Sequence, residues 1–277
     1  MQKEKLSRTT DWIVTLILAI VIGMVANLFV PYPAGAPSWA TVMLASIRYY
    51  ITAAAIMILS KKHLHFEPAK LLSESGRFKV LKMVSFALIW ITLLSLFALF
   101  KYLLHPDQYS MASGYRFFSP MLLAILLFTP VQTFTEELIF RCMLSRIPNE
   151  ELPKERGKVA ALSLASGFLF AMAHVGSLNA DSIGPSVKSL LFYFILGSFL
   201  MLLGIITGRF EASIGIHMGN NLFIDLAVCQ SLSVQIKNPL ILYSGSETYL
   251  LLAELAFCIA GTCLFIKLTT DRNKNNG

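Results

Sequence analysis

Charged residues make up only 14% of this 277-residue chain, and acids are the rarer sign, 16 Asp and Glu against 23 Lys and Arg. So little charge cannot clothe an ordinary soluble domain, where about a quarter of the residues carry it. Cysteine is also sparse. Cys142, Cys229, Cys258 and Cys263 show neither C-x-x-C nor Cys/His metal spacing and lie in or beside apolar segments, which excludes a disulfide framework and reads them as small buried hydrophobes. There is no internal repeat, low-complexity tract or Pro/Gly/Ser linker, so one membrane domain over residues 1–277 is expected. G-x-S-x-G, H-E-x-x-H and G-x-G-D are all missing, which removes the serine-elbow, zincin and intramembrane aspartyl chemistries. No segment outside the apolar runs is large enough for a separate catalytic domain. Any chemistry must be done by the helices themselves.

Hydrophobic residues reach 56% and mean hydropathy is +0.66. Apolar stretches long enough for a hydrocarbon layer of about 30 Å fall at 12–30, 39–59, 83–104, 117–135, 159–175, 188–207, 212–229 and 247–266. Without period-two alternation these are helices, since a lipid-facing backbone must satisfy its own hydrogen bonds. The expected fold is therefore an all-α polytopic bundle of about eight transmembrane helices. Seventeen Lys and Arg then fall on the side of the N-terminus, and only Arg116, Lys188 and Lys237 on the other, which places both termini in the cytoplasm. The net charge of +7 is thus mainly a topology signal, with attraction of the inner loops to anionic lipid, and no nucleic-acid partner is implied. Lys3, Lys5 and Arg8 before an apolar run, followed by Ala34-Gly35-Ala36, mimic a signal peptide. The 19-residue run exceeds a signal core, however, and Pro37 would follow the cut, so it is read as a first membrane helix. The basic inner loop 60–82 has room for an interfacial helix, and the compact loops favour a bacterial cell membrane.

Against this background Glu136 and Glu137 need a reason, because a carboxylate at membrane depth costs roughly 2.5–3.5 kcal/mol. Glu137 precedes Arg141 by four residues, the favourable order for an intrahelical ion pair. Glu136 points about 100° away with no cation at that spacing. Glu137 is therefore expected to be a strut and Glu136 to face a cavity, where a desolvated carboxylate is a candidate general base. Phe170 and His174 share a helix face, as do His217 and Asn221, with Gly219 between the latter allowing close approach of a backbone or substrate. Pro130 loosens the helix ahead of the acids. A carboxylate, two imidazoles and an amide suit amide hydrolysis: Glu136 with His174 would take a proton from water, and His217 with Asn221 would donate to the oxyanion. Counted from the inner ends, however, His174 falls about 24 Å along its helix while Glu136 and His217 lie in the inner half, so tilt or a helix starting below the surface must close the gap. Arg48 is a further mid-span charge, with Glu254 as a partner to consider.

The order Glu136-Glu137-x-x-x-Arg141, Phe170-x-x-x-His174, His217-x-x-x-Asn221 resembles the motif set of the CAAX protease and bacteriocin-processing (Abi) family, related to type II CAAX prenyl proteases. The resemblance covers 136–221, with a catalytic core expected at about 117–229. It implies an eight-helix intramembrane glutamate-dependent endopeptidase, with Glu136 and His174 activating water, His217 and Asn221 forming the oxyanion hole, and Glu137, Arg141 and Phe170 in support. No cofactor is implied; zinc on two histidines and a carboxylate is the alternative. The partners would be the bilayer and a membrane-associated peptide or protein, whether a prenylated CAAX protein or a leader or pheromone peptide. Two other functions compete: a non-catalytic scaffold or bacteriocin-immunity protein of the same fold, and a proton- or metal-coupled transporter.

Overall fold

A computed structural model describes residues 2–30, 38–113, 115, 118–147, 150–175, 183–230, 238–245 and 248–275. The loop 31–37, Arg116 and Lys237 lie outside the described residues. The chain folds as α1 (Gln2–Leu28), α2 (Ser38–Lys62), the short α3 (Pro68–Leu72), α4 (Val80–Leu104), β1 (Tyr109–Met111), α5 (Pro120–Glu137), α6 (Arg156–Ala173), α7 (Ile183–Thr207), α8 (Glu211–Leu226), β2 (Val228–Gln230), β3 (Ile241–Tyr243) and α9 (Thr248–Asn275). This is an all-α, multi-pass membrane fold. Among the described residues six helices are long and apolar enough to cross a bilayer: Arg8–Leu28, Ser38–Lys62, Val80–Leu104, Pro120–Met143, Ser189–Thr207 and Tyr249–Thr269. The expected fifth and seventh spans correspond to α6 and α8. At 16 residues α8 is about 24 Å long, short of the hydrocarbon thickness.

The segments assigned to one side of the membrane meet at one end of the bundle. Arg8 pairs with Glu150, Arg146 donates to the Lys70 carbonyl, and Glu74 N–H donates to the Gly208 carbonyl. In the loop 60–82, α3 turns Leu71 and Leu72 into the core rather than toward lipid. At the other end β3 pairs antiparallel with β1 and parallel with β2, a three-stranded cap that hydropathy does not reveal because its strands are only three residues long. Cys142, Cys229 and Cys258 are buried as expected, but Cys263 is exposed on α9. Glu254 does not pair with Arg48. It pairs with Lys101, since α9 packs on α4.

Two packing features bring the polar helices together. Gly215 and Gly219 line the face of α8 that lies on α4, where a Cβ would come within 2.2 Å of the Met83 carbonyl oxygen and 2.6 Å of the Ala87 carbonyl oxygen. Gly219 therefore admits a backbone and not a substrate. Between α7 and α8, Gly208 adopts φ 63°, a left-handed conformation that ends α7. The chain then folds back: a Cβ on Gly204 would overlap the Phe210 ring, and the Ser213 hydroxyl donates to the Leu200 carbonyl at 2.7 Å. The first turn of α8 thus lies level with Leu200, about 10 Å short of the end of α7 at Thr207. Further along α7, Tyr193 lies beside the end of α6. That internal start of α8 is what raises His217 to the level of His174.

Candidate active site

α5 opens with Pro120 in its first turn and Ser119 as N-cap, its Oγ accepting from Leu122 N–H at 3.1 Å. Pro130 is accommodated inside the helix, where it cannot donate to the turn before it, and the nearby Leu127 carbonyl accepts from the Tyr50 hydroxyl at 3.2 Å. Directly after Glu137 the backbone widens into a π-helical turn over Leu138–Met143, a distortion that occurs often at functional sites. Glu136 and Glu137 are both buried, Glu137 completely.

The two acids meet the same imidazole. His217 Nδ1 lies 2.8 Å from Glu137 Oε1, and since a carboxylate can only accept, Nδ1–H is the donor. Its other nitrogen, Nε2, faces Glu136 Oε2 at 3.6 Å, beyond hydrogen-bond length. Glu136 Oε1 accepts from Gln132 Nε2 at 2.9 Å, whereas its buried Oε2 has no hydrogen-bond partner. Arg141 Nε lies 3.4 Å from Glu137 Oε1, with both side chains wholly inaccessible, and its guanidinium sits 4.2 Å from the centroid of the Phe170 ring. The strut expected from spacing is present, but Glu137 does more than hold Arg141: it also orients His217.

Phe170 is the hub of the aromatic packing. Its ring meets His174 at 4.5 Å, His217 at 5.3 Å and Tyr193 at 5.9 Å, all edge-on, and Tyr193 stacks on His174 at 4.0 Å. His174 caps the end of α6, its Nδ1 2.7 Å from the Phe170 carbonyl. Donation from Nδ1 leaves Nε2 as the basic nitrogen of the neutral ring. Asn221 Nδ2 donates to Thr133 Oγ1 at 3.4 Å, and its Oδ1 accepts from Asn220 Nδ2 at 3.3 Å, while Asn220 Oδ1 accepts from Trp90 Nε1 at 3.4 Å. Glu136, Glu137, Arg141, Phe170, His174 and His217 thus come together, with Asn221 one turn beyond His217.

Four neighbours escape a motif reading: Gln132, Thr133, Tyr193 and Asn220. Gln132 stands four residues before Glu136, so helix spacing could have found it. Thr133 likewise stands four residues before Glu137, whereas Tyr193 carries no such signal. Among the described residues no group of three or more His, Cys, Asp or Glu is arranged to hold a metal ion.

Residues 117–223 match a family model described as type II CAAX prenyl endopeptidase Rce1-like. The uncharacterized protein YyaK of Bacillus subtilis (strain 168) is 31% identical over 144 residues, which cover 49% of this chain and 44% of that protein. The chain therefore spans less than half the length of this curated relative. No solved structure matches. The segment that holds all seven side chains singled out by the motif order, residues 117–223, is Rce1-like, in keeping with the CAAX-protease resemblance those motifs carry.

Proposed function

We propose that the protein is an intramembrane endopeptidase that hydrolyses a peptide bond of a membrane-associated substrate with Glu136 as general base. The observation that carries this reading is the Glu136 carboxylate. One oxygen is anchored by Gln132, and the other is buried, unpartnered and 3.6 Å from an imidazole nitrogen. A group held this way is poised to take a proton.

In the proposed cycle Glu136 Oε2 removes a proton from water while His174 Nε2 accepts a hydrogen bond from the same molecule, fixing its direction. The oxygen adds to the scissile carbonyl carbon and the carbonyl oxygen becomes an oxyanion. With Nδ1–H committed to Glu137, His217 donates from Nε2 as the imidazolium, and the Asn221 amide exchanges Thr133 for the developing charge. Each such donor contributes about 10²–10³ in rate in other hydrolases. Collapse of the intermediate breaks the C–N bond, and Glu136 returns its proton to the departing amine. Glu137 and Arg141 act through His217 and Phe170, holding the donor at a fixed angle.

The test compares membrane peptide profiles by mass spectrometry in cells carrying the parent chain or Glu136→Gln. A peptide whose processing stops with Glu136→Gln, at equal protein levels, supports the reading. Indistinguishable profiles, together with full biological complementation by the variant, would sink it in favour of a non-catalytic scaffold.

A further inference from the structure

Arg48 is a charge that the proposed chemistry does not use. It lies near the middle of α2, about 15 Å from the Ser38 end and about 21 Å from the Lys62 end. It is exposed on the outside of the bundle, where an arginine faces lipid rather than the interior that membrane-buried cations normally seek. Among the described residues its hydrogen bond and its ring contact are both with its sequence neighbour: one terminal nitrogen donates to the Tyr49 hydroxyl at 3.1 Å, and the carbon of the group sits 4.8 Å from the Tyr49 ring centroid. Among the described residues no acid pairs with it.

Tyr49 links this cation to the site. The Thr135 hydroxyl lies 3.0 Å from the Tyr49 carbonyl, and the Tyr49 ring meets Phe128 edge-on at 5.7 Å. The Arg48–Tyr49 turn of α2 therefore lies against the turn of α5 that carries Glu136. A planar guanidinium with donors to spare, oriented by a neighbouring hydroxyl, is shaped for a carboxylate.

Taking the peptidase reading as its basis, we propose that Arg48 is a substrate-docking residue: on the exposed face of α2, next to the turn whose Tyr49 packs on α5, it binds a carboxylate of a peptide that enters sideways from the bilayer. An uncompensated carboxylate at that depth is strongly disfavoured, and so is an uncompensated arginine, so pairing relieves both and selects an acid over its neutral amide.

The test uses the Glu136→Gln chain, which binds without turnover, in phosphatidylcholine nanodiscs. The probes are a fluorescent N-palmitoyl tripeptide with a free C-terminal carboxylate and the same peptide as carboxamide. The acid is expected to bind about tenfold more tightly than the amide, as for one charge-assisted hydrogen-bonded contact. Adding Arg48→Gln should erase that preference and leave amide affinity unchanged, which also reports that the chain is folded, while Arg48→Lys should restore part of it. An acid preference that survives Arg48→Gln, or none in the Arg48 chain, overturns the proposal. Phosphatidylglycerol that displaces acid and amide equally, with no acid preference, assigns Arg48 to a lipid phosphate and overturns it as well. Because the assay reads binding by an inactive chain, its failure leaves the peptidase reading standing, and an unchanged peptide profile with Glu136→Gln leaves the docking measurement readable.

Discussion

Replacing Glu137 by Gln keeps the shape of the side chain and removes its charge. The result is an Arg141 guanidinium that is wholly inaccessible, has no hydrogen-bond partner on any nitrogen, and retains the Phe170 ring at 4.2 Å and the more distant Phe140 ring at 5.9 Å. Breaking a buried pair from one side costs about 3–5 kcal/mol, whereas replacing both partners by apolar groups of similar size is often nearly neutral. Glu137→Gln and Arg141→Met should therefore each destabilise strongly, and the double variant should recover most of the loss. At about 2–4 °C per kcal/mol the single variants should unfold roughly 10 °C lower. Unfolding in detergent can be followed by intrinsic fluorescence, since Trp12 and Trp90 are both buried and one belongs to each half of the core. Single-variant losses below about 0.5 kcal/mol, or a double variant as unstable as the sum of the singles, would refute the claim that this pair holds the site together. The experiment needs no substrate, so it tests the architecture independently of the proposed reaction.

Two further outcomes are expected. Asn220→Ala removes the donor that fixes the Asn221 amide, so kcat on a Glu136-dependent peptide should fall about tenfold with KM little changed; an equal rise in KM would mean that Asn220 serves substrate binding instead. Gly219→Ala places a methyl 2.6 Å from the Ala87 carbonyl oxygen, forcing α4 and α8 apart, and should lower stability by about 1–3 kcal/mol in the same unfolding assay. A neutral result would show that these two helices can separate freely.

Much of this site was legible because it is built on helices. A fixed rise and rotation per residue turn four-residue spacing into contact, so spacing alone pairs Glu137 with Arg141 and Phe170 with His174. The same rule applied to Gln132 and Glu136 would have found a further contact. Spacing says nothing about what faces a residue from another helix. Spacing pairs Glu137 with Arg141, yet its Oε1 also accepts from His217, eighty residues away.

The sequence by itself determined the environment and the cost. Scarce charge and long apolar runs require a helical membrane protein, and a carboxylate pair in such a run requires compensation. Only the tertiary structure decided how the compensation is arranged. Along the chain His174 and His217 count to different depths, because each helix is counted from its own end. The fold-back at Phe210 starts α8 inside the bundle, against Leu200, and the two glycines on its α4 face let it lie there. That packing, set by contacts between helices and not by periodicity within one, brings both imidazoles to the Phe170 ring and leaves one oxygen of Glu136 buried without a partner.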